Sequence, residues 1–316
     1  MNILKEIISK IEPWNTTSVN CDYIEDELRS LLGGYVKEIK RLSDGYTNVS
    51  FFIIDNNDDK YKLSVFVNEE SYLSENKLRE FLQNRKRIYD IYGSKLGIIY
   101  HDINKVLSLF IDGTVATSAL KENSGDTGRL ISFTEAIIKN IDKFHNDMEL
   151  VHDFKYLDLT GLFYDSLKEQ NLIEKGTIPD DVILEKIKLI RKFEESFSEE
   201  WFALSHRDTD PINMIYIPET GEFRHIDFEF TGKGLKYYDY ANCYNVLKNI
   251  NVVGDEVLEG FKENLLSFKP EFNIEDFQTS VNIMTFIWGL WYYLYGLKFN
   301  DDRLTKIGID WINELK

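Results

Sequence analysis

The sequence changes texture at Asp112-Gly113, and that change limits the architectures open to it. Upstream, "YVKEIKRL" (35–42), "NVSFFIID" (48–55) and "KYKLSVFV" (60–67) read as strands, broken by "SDGYTN" and by the turn "NNDD". "SENKLREFLQNRKRIYDIYG" (74–93) carries apolar residues at helical spacing and ends on glycine. "LGIIYHD" and "KVLSLFI" then read as two more short strands. Downstream, "SFTEAIIKNIDKFHND" (132–147) and "DVILEKIKLIRKFEESF" (181–197) are amphipathic helices, and further helices run from about 255 to the end. A strand-rich island at 204–230 interrupts them. The pattern predicts an α+β chain of two lobes: a small antiparallel-sheet lobe over 1–112 and a larger, mainly helical lobe over 113–316. A cleft between two such lobes is where a ligand is expected.

Composition narrows the partners. In 316 residues, 43% are hydrophobic, enough for a sizeable core and too many for a disordered chain. The formal net charge of -17 argues against nucleic acid or an anionic membrane surface as the partner. It suits a cationic substrate, and it is also an ordinary solubility feature. Two distant cysteines, Cys21 and Cys243, exclude a disulfide scaffold or zinc cluster and point to a reducing cytoplasm. "MNILKEIISKIEPW" lacks the unbroken apolar core of a signal peptide. "VNIMTFIWGLWYYLYGL" (281–297) falls just short of a membrane span and reads as a buried helix.

The chemistry gathers in "LSHRDTDPINMIYIPETGEFRHIDFEF" (204–230). His206, Asp208 and Asn213 form H-x-D-x4-N, and Asp227 follows fourteen residues after Asn213. Phosphoryl transfer needs a carboxylate to orient the attacking hydroxyl and oxygen ligands to hold magnesium on nucleotide phosphates. A loop carrying Asp208 and Asn213, with a strand-turn-strand returning Asp227, supplies that set. Carboxylate and amide oxygens suit magnesium better than zinc. Singly, each has a plainer reading: Asp as a cap, Asn as a turn residue, His206 as a packing or hydrogen-bonding residue. Order and spacing together match the catalytic loop and metal-binding Asp of protein-kinase-like enzymes.

The chain resembles the choline/ethanolamine kinases within the aminoglycoside phosphotransferase-like, protein-kinase-like superfamily. The resemblance rests on "HRDTDPIN", "IDFEF" and "DYAN" (239–242) in that order, on Trp288-Gly289-Leu290-Trp291, and on "DGYTN", "REFLQNRKRIYDIYG" and "LFIDG" upstream. It implies a bilobal protein-kinase-like fold and an ATP- and Mg2+-dependent phosphotransferase acting on an alcohol group. It also implies that Asp208 is the catalytic base, that Asn213 and Asp227 hold magnesium, and that Glu229 assists the metal shell or the substrate side. Asp239 and Asn242 would brace the loops. Gly45, Thr47 and Asn48 would form the nucleotide loop, where Gly45 lets the backbone approach the phosphates. Phe110 and Ile111 would form the hinge beside the nucleotide. Glu80 would pair with a nucleotide-binding cation, or it is a solvated helix charge.

Three positions depart from the family's pattern. The third strand usually offers an Arg or Lys to the phosphates, and here Ser64 stands in its place. Lys62 lies two residues earlier and faces the same side of a strand, so it either replaces that cation or is an ordinary strand lysine. Ile212 stands where a glycine is frequent. Asn245 and Val246 stand where choline kinases often carry a Glu.

The acceptor is read from aromatics. Trp288 and Trp291, three apart, share a helix face. With Phe230 and Tyr244 they would form a box for choline or a related amine, since a quaternary ammonium is held by ring faces. Such stripes also pack ordinary cores. The leading expectation is a kinase of choline, ethanolamine or a related amino alcohol, monomeric or homodimeric. An aminosugar acceptor and a catalytically silent kinase-fold protein stand as the alternatives.

Overall fold

The computed structural model describes residues 3–10, 21–42, 48–66, 72–148, 158–250 and 253–315. It divides into two compact units, one of residues 1–71 and 78–111, the other of 72–77 and 112–316. The second unit therefore takes Asp112 and the six residues 72–77, which the sequence division kept in the first.

The first unit contains α1 (Ile3–Lys10), α2 (Cys21–Leu32), β1 (Val36–Arg41), β2 (Asn48–Asp55), β3 (Lys60–Phe66), most of α3 (Glu75–Tyr92), β4 (Ile98–His101) and β5 (Lys105–Leu109). The five strands form one antiparallel sheet in the order β1-β2-β3-β5-β4. The β2–β3 turn is built by Asp55, whose Oδ1 accepts from the Asn57 and Asp59 amides at 2.8 and 3.0 Å, while Asp58 takes φ of 67°. Period-two alternation sends Phe51, Ile53, Leu63, Val65 and Leu107 to one face, packed on Leu4 and Ile8 of α1 and Ile24, Leu28 and Leu32 of α2. The opposite face carries Ser50, Phe52, Lys62, Ser64 and Ser108 in register. α3 buries Phe81, Leu82, Ile88 and an arginine, Arg85, which donates to Ile103 O at 2.6 Å and lies 3.4 Å from the Phe66 ring centroid.

The second unit runs β6 (Thr114–Val115), α4 (Ala116–Glu122), α5 (Thr127–Asp147), α6 (Leu159–Glu169), α7 (Asp180–Glu194), β7 (Phe202–Ser205), β8 (Met214–Ile217), β9 (Glu222–His225), β10 (Gly232–Leu235), α8 (Lys236–Asn249), α9 (Asp255–Phe268), α10 (Ile274–Phe299) and α11 (Asp302–Glu314). Two small sheets, β10-β7 and β6-β8-β9, sit among the helices. α10 is opened by Asn273, which accepts from the Glu275 amide at 2.7 Å, and closed by Asn300 in the left-handed region. Most of its apolar residues are buried. Among the described residues no helix is long and apolar enough to cross a membrane.

α10 and α11 approach closely because glycines line their contact. A Cβ on Gly289 would lie 2.9 Å from the Trp311 Cβ, and one on Gly308 would lie 2.5 Å from the Tyr293 amide nitrogen. Backbone cannot step aside as a side-chain tip can. Gly308→Ala is expected to cost about 1–3 kcal/mol and to lower Tm by several degrees in a calorimetric scan. An unchanged Tm would mean that the two helices separate freely.

Candidate active site

The loop after β7 is held from below by a single carboxylate. Asp239, in the first turn of α8, accepts from the His206 amide at 2.9 Å on Oδ2 and from the Arg207 amide at 2.7 Å on Oδ1. Its Oδ2 also meets His145 Nε2 of α5 at 2.8 Å, and its backbone carbonyl accepts from the Thr209 hydroxyl. Asp239 is fully buried. Burial alone would raise its pKa, but the hydrogen bonds from His145 and the Arg207 amide hold the carboxyl below its ordinary value. With this brace Arg207 adopts a left-handed conformation, φ 69°, that a non-glycine residue seldom takes. Its buried guanidinium lies over the Tyr238 ring at 5.5 Å, and Gly234 of β10 leaves it room, since a Cβ there would come within 2.8 Å of Nη1.

The turn at Arg207 is followed by Asp208, which is half-buried. Asp210 then caps a single 3-10 turn over 211–213 by accepting from the Ile212 amide at 2.8 Å, with Pro211 pre-set for the first turn position. That turn places Asn213, whose Nδ2 donates to Asp208 Oδ2 at 2.8 Å and to the Asp208 carbonyl at 3.2 Å. The β8–β9 hairpin follows, with Met214 opposite His225, and the Ile226 amide donates to Asn213 O at 2.9 Å. Asp227 is thereby returned beside the loop, itself left-handed with φ 64°. His206 donates from Nε2 to Ile226 O at 3.0 Å, tying the loop to the residue before Asp227. The His206 and His225 ring centroids lie 4.8 Å apart, both rings pack on Phe144, Phe228 packs on His206, and burial holds both pKa values down.

The result is a concentration of carboxylates. The Asp208 carboxyl is pushed well above the ordinary range, first by desolvation and then by the charges of Asp210, Asp227 and Glu229; the Asn213 amide partly offsets this. Such a cluster attracts a cation. Among the described residues no three His, Cys, Asp or Glu side chains stand as a metal site by themselves. Asn213 and Asp227 carry oxygen donors, a chemistry that suits magnesium better than zinc.

Glu229 and Phe230 continue from Asp227 and are buried. Phe230 meets Trp288 of α10 edge-on at 5.6 Å and Phe163 of α6 at 6.3 Å. Trp288 and Trp291 are 6.2 Å apart, and Trp291 stacks on Tyr295 at 5.3 Å. Phe163, Tyr295 and Tyr72 were not anticipated from sequence, and they complete this group. Tyr244 does not join it: its ring packs on Phe261 and Phe277 at 5.7 and 5.6 Å, with Lys262 above it.

The residues expected to meet nucleotide belong to the first unit. Lys62 is half-buried on β3 between Phe52 and Ser108, and the Ser64 hydroxyl is 3.1 Å from that of Ser50. Phe110 meets Phe52 edge-on at 4.6 Å, its amide donating to Lys60 O at 3.1 Å, and Ile111 is half-buried beside it. Glu80 is exposed on α3. Gly45 and Thr47 lie outside the described residues; Asn48 opens β2, and its side chain lies outside them as well.

Comparison with known proteins bears on the fold. No family model matches the sequence. A curated protein, probable ethanolamine kinase B of Dictyostelium discoideum, is 39% identical over 61 residues, a match spanning 19% of this chain and 14% of that protein's length. The structure of an ethanolamine kinase from Plasmodium vivax superposes with a TM-score of 0.69 at 18% identity, covering 98% of this chain and 92% of that one. Choline kinase LicA from Streptococcus pneumoniae, also solved in complex with AMP, superposes with a TM-score of 0.64 at 16% identity over 93% and 99% of the two chains. An aminoglycoside phosphotransferase aligns with a TM-score of 0.59 at 14% identity over 93% and 99%. The chain has the kinase-like α+β fold of the ethanolamine and choline kinases, with aminoglycoside phosphotransferases as further neighbours.

Proposed function

We propose that the protein is an ATP- and magnesium-dependent kinase that phosphorylates the hydroxyl of a small amino alcohol of the choline and ethanolamine class. The observation that carries this reading is the Asp208–Asn213 pair beside Asp227, held on a loop whose strained turn is fixed by Asp239. The kinase-like fold shared with ethanolamine and choline kinases supports it.

Asn213 engages Oδ2 of Asp208, and Oδ1 is the oxygen we assign to the acceptor hydroxyl, to align it for in-line attack and accept its proton. Asn213 and Asp227 would hold magnesium, which when bound supplies positive charge to the nucleotide's terminal phosphates. Lys62 is the cation we assign to the phosphates in place of Ser64, with Gly45, Thr47 and Asn48 as the nucleotide loop and Phe110 and Ile111 along the base. Glu229, Phe230, Trp288 and Trp291 would take the acceptor's ammonium head by charge and ring faces.

With ATP, magnesium and a panel of amino alcohols and aminosugars, phosphorylated choline or ethanolamine is the expected product. Product confined to aminosugars would transfer the acceptor to that class, and no product from any acceptor would end the kinase reading. Ser64 favours one other reading, a silent binding protein. Thermal shift separates the two: a nucleotide at 100 times its Kd stabilises by about 2.7 kcal/mol. We expect that stabilisation to require magnesium, and its complete absence would favour the silent protein.

A further inference from the structure

The six residues that the second unit takes from the first, 72–77, are held there by one helix. The Ser74 amide donates to Ser166 Oγ at 3.2 Å, and the Ser74 hydroxyl donates to Glu169 Oε2 at 2.7 Å. Asn76 reaches the same Glu169 oxygen at 3.3 Å, and Lys77 pairs with Asp165 at 2.8 Å. Gln170, just past α6, donates to the Tyr72 carbonyl at 2.8 Å while its own oxygen accepts from Lys298 of α10 at 2.5 Å. Every one of these partners lies on α6 or at its end, so the backbone of Tyr72 is fixed before any ligand arrives.

The side chain so delivered enters the aromatic group. The Tyr72 ring is 5.8 Å from Trp291, 6.1 Å from Tyr295 and 6.2 Å from Phe163, and it is 3% exposed. Its pKa is raised well above the usual tyrosine value, mainly by burial and then by the nearby charges of Glu229 and Asp208, so the phenol stays neutral and stands within electrostatic reach of both carboxylates. The ring therefore belongs to the aromatic group through Trp291, Tyr295 and Phe163, with the charges of Glu229 and Asp208 acting on its phenol.

We propose that Tyr72 is an acceptor-binding residue, its ring face forming one wall of the ammonium site that Phe230, Trp288 and Trp291 line. The proposal rests on the kinase reading above for the site's purpose, and it concerns binding alone. A cation over a tyrosine face gains roughly 0.5–2 kcal/mol, the upper end when water is excluded. Phenylalanine keeps the face and loses only the hydroxyl, whereas leucine keeps apolar volume and loses the face.

The test is equilibrium binding of choline, ethanolamine and tetramethylammonium, followed by tryptophan fluorescence and by calorimetry, on the wild type, Tyr72→Phe and Tyr72→Leu. Circular dichroism and Tm serve as the folding control. We expect Tyr72→Leu to weaken ammonium binding by about ten-fold and Tyr72→Phe by less than about three-fold. Nucleotide affinity should be the same in all three. Equal affinities in the wild type and Tyr72→Leu would overturn the assignment, as would a wild type that binds none of the three ligands. Phosphorylated product, measured separately, reports on the kinase reading, so wild-type binding without turnover would refute that reading and leave Tyr72's role standing.

Discussion

Asp208→Asn is expected to reduce turnover by about 10²–10⁴-fold, the usual effect of removing a general base, while leaving nucleotide affinity near that of the wild type. The asparagine preserves shape and a partner for Asn213 but cannot accept the hydroxyl proton. The same substitution should raise Tm. The Asp208 carboxyl has a folded pKa above its unfolded value, so it favours folding only in acid, and that contribution is lost as pH rises through the raised value. Wherever the group is ionised it is therefore a cost, imposed by desolvation and by Asp210, Asp227 and Glu229. Removing one charge from that crowd should raise Tm by a few degrees. Turnover within ten-fold of the wild type would remove Asp208 from the chemistry. A lowered Tm would contradict the crowding.

Asp239→Ala should be the most destabilising single change near the site. It orphans the buried His206 and Arg207 amides and the His145 imidazole together, and it frees the left-handed turn at Arg207. A broken buried network of this kind costs about 3–5 kcal/mol. Urea unfolding should show it as a lower midpoint at unchanged slope. The pH dependence has the opposite sign to that of Asp208. Asp239 has a folded pKa below its unfolded value, so its contribution is present above the ordinary carboxylate range and is lost as pH falls through the depressed value. The gap in stability between the wild type and Asp239→Asn should accordingly narrow in acid. A gap constant with pH would show that the carboxylate charge contributes nothing there. Activity should fall with stability, because Asp208 is aimed by the turn that Asp239 holds.

The readable parts of the site were local. H-x-D-x4-N spans eight residues, and its geometry follows from turn chemistry inside the segment: Asp210 caps, Pro211 pre-sets the turn, and Asn213 falls back onto Asp208. The hairpin that returns Asp227 was equally plain, because alternation and a turn are short-range signals. Tyr244 shows where that reasoning ends. It follows Asp239 by five residues on the same helix, which places it roughly 140° around the axis, away from the loop and against Phe261 and Phe277. Proximity in sequence did not translate into proximity in space.

Tyr72 shows the converse. Nothing between "KYKLSVFV" and "SENKLREF" announces a site residue, and its partners Phe163 and Trp291 are remote in the chain. Sequence alone determined the α+β class, the sheet-forming strands of the first third and the loop and hairpin of 206–227, because these depend on periodicity and turn residues that act within a few positions. Only the tertiary structure decided which aromatics meet. It did so through the clamp of α6 on residues 72–77 and the rotation of α8, and contacts of that kind depend on how distant elements pack.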